Sequence, residues 1–214
     1  MPGKIQTCPP AGAAEQLQAT YFEFSSEKIL EIARGAADLG VEMLVLDDGW
    51  FGKRDDDTSG LGDWYVNEKK LARRPETAGR PDQRSGLEVW PGLSRKQCPR
   101  DSDLYRAHPD WAIRIPQRRP NRSRYQLILD MSRQEVRDYL YERICAILDS
   151  ANIEYVKWDM NRNISDVYST SLPKERQGEV CHRYMLGLYE CAGEAGDPLS
   201  RHSLGRLQRR RRPV

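Results

Sequence analysis

The run Val41-Glu42-Met43-Leu44-Val45-Leu46 constrains the fold more than any other stretch. It is broken only by Glu42, so it has almost no polar side to offer to water and reads as a strand covered on both faces, the pattern of a parallel sheet. The residues before it suit that reading. Ser25-Ser26 can cap a helix in which Ile29, Leu30, Ile32, Ala33, Ala36, Ala37 and Leu39 recur at helical spacing, and Gly40 can end it. A short strand is expected ahead of that helix at Thr20-Tyr21-Phe22-Glu23-Phe24, which would complete a βαβ unit. The apolar run then stops at Asp47-Asp48-Gly49-Trp50, so two adjacent carboxylates fall at the strand-to-loop edge where α/β folds place their sites.

A second passage of the same kind follows. Tyr125 to Asp130 is expected to be extended. Ser132 and Glu135 form a capping-box pattern before a helix whose apolar face is Val136, Tyr139, Leu140, Ile144, Ile147 and Leu148. The chain then reaches Tyr155-Val156-Lys157-Trp158-Asp159-Met160-Asn161-Arg162, where Lys157, Asp159 and Asn161 share one side of a strand. A lysine beside Asp159 favours its ionised form, and an ionised carboxylate can act as a nucleophile. A plain Lys/Asp pair on an edge strand would carry the same residues. Pro173 can open a third helix bearing Val180, Tyr184, Met185, Leu188 and Tyr189.

Asp47/Asp48, Asp130 and Asp159 are thus expected as three acidic strand ends, with Trp50, Trp64 and Trp158 near them. Aromatic faces beside carboxylates suit a sugar ring, whose apolar face stacks while its hydroxyls need charged acceptors. His108, His182 and His202 all lie outside these motifs, which disfavours zinc or Ser-His-Asp chemistry.

At 214 residues the chain is long enough for one domain with a real core but short of the roughly 250 of a complete eight-stranded α/β barrel. The 34 basic and 32 acidic residues leave a net charge of +2, which gives the whole chain no strong field toward nucleic acid or membrane. Cys8, Cys98, Cys145, Cys181 and Cys191 are odd in number and form no C-x-x-C pair. Met1 to Thr7 lack the apolar core of a signal peptide, and no run approaches a membrane span. A cytoplasmic protein is expected.

Three stretches break the pattern. Residues 1–18 are Pro/Ala/Gly-rich and read as a disordered leader. In the loop from Phe51 to Gly60, Asp55, Asp57, Ser59 and Gly60 match the first half of an EF-hand loop. The twelfth position, however, is Val66 where a bidentate Glu is needed, so a solvated acidic loop is expected. Residues 72–100 and 191–214 are arginine-rich and aperiodic. The second of these carries Arg201, Arg206 and the run from Arg209 to Arg212, a basic tail without a nucleic-acid reading module.

The motifs between these stretches resemble the microbial α-galactosidases of the melibiase type, glycoside hydrolase family 36. The resemblance lies in ATYFEF at 19–24, VLDDGWFGKRDDDT at 45–58, LGDWYVN at 61–67, DSDLYRAHPDW at 101–111, RYQLILDMSRQEVRDYL at 124–140 and YVKWDMNR at 155–162. It implies an α/β fold, a partial (β/α)8 barrel of the TIM type over residues 19–190, holding the first four or so βα units with an irregular stretch in place of one strand. It also implies a retaining glycosidase acting on α-galactoside oligosaccharides, with homo-oligomers among full-length members and no metal or cofactor. By position, Asp159 would be the nucleophile. Lys157 and Asn161 would hold sugar hydroxyls, Asp47 and Asp48 would accept from the 4- and 6-hydroxyls, and Trp50 and Arg124 would line the pocket. The family's acid/base aspartate follows a glycine-rich segment that has no counterpart after Glu190, and its third-strand motif has none in 72–100. Abrupt loss of the pattern and its resumption at Asp101 point to a shifted reading frame in both segments. A non-catalytic, galactoside-binding remnant is the alternative.

Overall fold

The computed structural model describes residues 13–71, 88–94, 97–98, 100–150, 157–159 and 162–196. Its frame is a four-stranded parallel sheet in the order β1-β2-β3-β6, made of β1 (Ala13–Glu15), β2 (Met43–Leu46), β3 (Glu88–Ser94) and β6 (Lys157–Asp159). All four residues of β2 are buried, as a strand with apolar side chains on both faces must be. The helix before it, α2 (Ser26–Asp38), is capped by Ser25, whose hydroxyl accepts from the Lys28 N–H at 3.4 Å. It ends in a Schellman arrangement. Gly40 at φ +80° lets its own N–H reach the Ala37 carbonyl and the Val41 N–H reach that of Ala36, at 2.9 and 3.0 Å. Ile29 and Ala33 of α2 bury against the core.

Three expectations are corrected. Thr20–Phe24 is not a strand: Thr20 ends the short helix α1 (Leu17–Thr20), and Tyr21 turns the chain at φ +47°, outside the range a strand residue adopts. β2 pairs on one side with β1, so the described structure begins at Ala13, six residues inside the expected leader. Secondly, the stretch 72–100 does contain an element. β3 sits between β2 and β6, with Leu44 opposite Val89 and Leu93 opposite Trp158. Pro91 and Gly92 interrupt any readable alternation there, because proline lacks the ladder donor and glycine lacks a side chain to pack.

The third correction concerns Asp130. The strand before it, β5 (Leu127–Ile128), pairs antiparallel with β4 (Gln97–Cys98) in a separate two-stranded sheet. The Ile113 N–H bonds the Ile128 carbonyl at 2.8 Å and the Asp130 N–H bonds that of Trp111 at 2.7 Å, so this backbone is committed away from the parallel sheet. Asp130 is therefore not one of its strand ends.

Two long helices complete the described structure. α4 (Gln134–Ser150) buries Val136, Leu140, Tyr141, Ile144, Ile147 and Leu148. The expected capping box is replaced at its start. The Ser132 hydroxyl and N–H both donate to Asp130 Oδ1, at 2.5 and 3.1 Å. α5 (Val180–Gly196) follows a 3₁₀ turn over Lys174–Glu179 and buries Val180, Tyr184 and Cys191. It thus runs six residues into the stretch expected to be an irregular tail, the rest of which lies outside the described residues. Among the described residues, no helix is long and apolar enough to cross a membrane.

Candidate active site at the sheet edge

The parallel sheet brings two of the acidic motifs to one edge. Asp47 and Asp48 follow the last residue of β2, and Asp159 ends β6. One strand separates them, a lateral gap on the order of 10 Å between β2 and β6 at the usual strand spacing. Leu46 pairs with Pro91 and Lys157 with Gly92, which sets Asp47 level with Lys157 across β3 and puts Asp159 two residues further along. Asn161 lies outside the described residues.

The segment after β2 is held from three sides. Gln16, fully buried just past β1, donates its N–H to the Val45 carbonyl at 3.1 Å, and its side-chain Oε1 accepts from the Asp47 N–H at 2.9 Å. Arg54 grips Asp48 in a bidentate pair, Nε to Oδ1 at 2.9 Å and Nη2 to Oδ2 at 2.6 Å. Lys70 donates to the Gly49 and Arg54 carbonyls at 3.1 and 2.9 Å and pairs with Asp55 at 2.8 Å. Gln16 fell within the expected leader and Arg54 within the expected solvated loop, so neither stood out in the sequence. The only signal available for Arg54 was its place six residues after a carboxylate inside a matching motif.

The loop from Phe51 to Gly60 is therefore only half solvated. Phe51, Gly52, Arg54 and Gly60 are buried, and Asp55, Asp56 and Asp57 are exposed. Those carboxylates face different partners. Asp55 meets Lys70, Asp57 lies 3.6 Å from Arg54, and Asp56 accepts from the Thr58 hydroxyl and N–H, both at 2.7 Å, which holds its pKa below the ordinary carboxylate value. Among the described residues, no group of His, Cys, Asp and Glu could hold a metal ion.

Trp50 stands beside the aspartates in sequence, but its ring is in the core. It is 2% exposed and meets Phe51 edge-on at 5.2 Å, and Phe51 in turn meets buried Trp64 at 5.0 Å. Both tryptophans pack this corner rather than present an open stacking face. Arg124 is exposed, at φ +51°, with its guanidinium 3.9 Å from Asp57. An alternating charge series, Arg124, Asp57, Arg54, Asp48, therefore leads from its loop to the end of β2.

That loop lines a cavity of ≈ 420 Å³ through Arg119, Asn121, Arg122, Arg124 and Tyr125. It is anchored from the segment after β6. Arg162 is buried and donates to the Asn121 carbonyl at 3.1 Å and to those of Gln126 and Asn163, and the Asp166 carboxylate accepts from the Asn121 N–H at 2.5 Å. Burial lowers the Arg162 pKa, with Asp166 opposing that shift. The residues just past Asp159 thus fix the loop that carries Arg124.

A parallel sheet whose carboxylates gather where strands pass into loops defines an α/β protein with an enzyme-like edge. A model of the Melibiase family matches residues 14–197, and the chain belongs to that family. It is 50% identical over 177 residues to alpha-galactosidase AgaA of Geobacillus stearothermophilus, covering 83% of this chain and 24% of that protein. It is 48% identical over 173 residues to the bifunctional alpha-galactosidase/sucrose kinase AgaSK of Mediterraneibacter gnavus, covering 81% of this chain and 18% of that one. The crystal structure of GH36 alpha-galactosidase AgaB from Geobacillus stearothermophilus superimposes with a TM-score of 0.82 at 47% identity, covering 85% of this chain and 25% of that chain. A doubly substituted AgaA solved with raffinose gives the same TM-score and identity over 88% of this chain and 26% of its own. The chain spans about a quarter of AgaA and less of AgaSK.

Proposed function

We propose that this chain carries the nucleophile-bearing and sugar-recognising part of a retaining α-galactosidase, on the first strands of a (β/α)8 barrel. The supporting observation is the placement of Asp47/Asp48 and Asp159 at one edge of one parallel sheet, a single strand apart. Asp159 attacks the anomeric carbon and forms the covalent galactosyl-enzyme. Lys157 and Asn161 hold ring hydroxyls, Asp47 and Asp48 accept from the 4- and 6-hydroxyls, and Arg124 closes the side above Asp57. Trp50 acts through packing, as the buried wedge that keeps the two aspartates on their turn. Relatives solved with raffinose and stachyose support α-galactoside oligosaccharides as the substrate class.

Retention needs a second carboxyl about 5 to 5.5 Å from the nucleophile. The family segment leading to it has no counterpart in residues 191–214. For residues 1–214 taken alone the proposal is recognition with slow turnover. The wild-type chain should bind galactose in calorimetry and hydrolyse a nitrophenyl α-galactoside slowly, and Asp159→Ala should drop hydrolysis to background with the fold intact. Absence of galactose binding by a folded wild type overturns the reading, and equal hydrolysis by wild type and Asp159→Ala removes Asp159 from its role. The shifted reading frame is tested on the encoding DNA: another frame across 72–100 or 191–214 should spell the absent family motifs, and none doing so rejects that origin.

A further inference from the structure

The two adjacent aspartates after β2 are not equivalent, and Arg54 is the reason. Its side chain is 1% exposed against 18% for that of Asp48. Its Nη1 donates to the Ser59 carbonyl at 2.9 Å, and its guanidinium carbon lies 5.3 Å from the Phe22 ring centroid. The turn that brings it back is tight. At Gly60, φ +71°, a Cβ would stand 2.8 Å from the Arg54 backbone nitrogen. A buried, planar, fully charged group in this setting can take only one orientation toward a carboxylate.

The acceptor count follows from that orientation. Asp48 Oδ1 accepts from the Gly49 N–H at 2.8 Å and from Arg54 Nε, which fills both its lone pairs. Among the described residues, Oδ2 accepts only from Arg54 Nη2. We propose that Arg54 is a positioning residue for sugar recognition, fixing Asp48 so that one lone pair of Oδ2 accepts a single ligand hydroxyl. The inference rests on the galactoside reading above. Asp48 then supplies one rigid acceptor beside Asp47, whose backbone N–H is held by Gln16.

A double-mutant cycle read by galactose calorimetry tests this. Arg54→Lys keeps the charge but cannot make the planar fork, and should weaken galactose binding about tenfold. Asp48→Asn should weaken it by a similar factor. If Arg54 acts through Asp48, adding Arg54→Lys to Asp48→Asn costs less than a further twofold, an outcome a general loosening of the loop would not give. Two independent tenfold losses that multiply, or an Arg54→Lys protein that binds as wild type, overturn the proposal. If Arg54→Lys does not fold by circular dichroism, Lys70→Gln removes the second clamp on the same turn and should show the same vanishing effect in the Asp48→Asn background; a multiplying effect again overturns it. No binding by folded wild type overturns the galactoside reading and this inference with it, whereas binding with multiplying losses overturns this inference alone.

Discussion

Asp48 and Asp130 are both carboxylates against arginines at the end of an apolar run, yet their surroundings differ. Asp130 is 1% exposed, and its contacts are all internal. Ser132 donates twice to Oδ1, the Ser169 hydroxyl donates to Oδ2, and Arg133 Nε lies 3.7 Å away. It ties the start of α4 to the segment before α5. Asp48 is gripped as firmly, but its side chain is 18% exposed and, among the described residues, its Oδ2 accepts from Arg54 alone. A buried, paired carboxylate is by itself a structural signal. What makes one a recognition group is an acceptor site left over on the side where a ligand can come.

The largest effect that could break this contrast is Asp130→Ala. It leaves Ser132, Ser169 and Arg133 without their acceptor in a buried place, and should cost about 3 kcal/mol of stability, measured by urea unfolding. Galactose affinity of the folded protein should not change. A loss of affinity at unchanged stability would put Asp130 in the site and erase the distinction. Next is Gly187→Ala on α5, where a Cβ would stand 2.0 Å from the Met131 carbonyl oxygen and 3.0 Å from Arg137 Cδ. The helix must back away from the residue adjoining Asp130, at a cost of about 2 kcal/mol. The same measurement checks it, and the Asp48 corner should again be indifferent.

Pro91 sharpens the comparison from the sheet side. It pairs with Leu46, the residue before Asp47, in a strand flanked by β2 and β6. Proline has no N–H for the ladder, so Pro91→Val should raise stability by about 1 kcal/mol in urea unfolding. A destabilised Pro91→Val protein would mean that β3 does not hold β2 and β6 together as the register has it.

These cases also show what the sequence could and could not reveal. β2, α2 and the apolar face of α4 were legible because burial on both faces, capping serines and 3.6-residue spacing are properties of single segments, whereas of the face expected on α5 Val180 and Tyr184 are buried but Met185 and Tyr189 are exposed. The pairing partner of Leu127–Ile128 was not, since an extended run looks the same in a parallel or an antiparallel sheet. β3 was hidden by Pro91-Gly92. Asp47 and Asp48 could be marked as strand-end carboxylates, but their separate holders, Gln16 just past β1 and Arg54 across a turn, are tertiary facts that no local pattern encodes. The burial of Trp50 is a tertiary fact of the same kind. An aromatic beside carboxylates fits a stacking platform or a core wedge equally well until its burial is known.

The smallest effect concerns a third carboxylate, Asp63, which is buried as Asp130 is. It accepts the N–H groups of Asp103 and Leu104, both at 2.9 Å, capping α3 (Asp103–Ala107) across the gap from the motif at 61–67. Burial outweighs those bonds and raises its pKa above the ordinary carboxylate value. Exposed Glu179 is the opposite case: Arg176 and Arg183 hold its pKa down to about 2. An acid whose folded-state pKa is raised binds its proton more readily in the native state, so its contribution grows as pH falls through the raised value and is complete below the unfolded one. The stability of wild type relative to Asp63→Asn should therefore rise between about pH 6 and pH 3, by less than about 1 kcal/mol. Thermal melts of the two proteins across that range measure it. A difference that shrinks on acidification would show that the native fold needs Asp63 ionised.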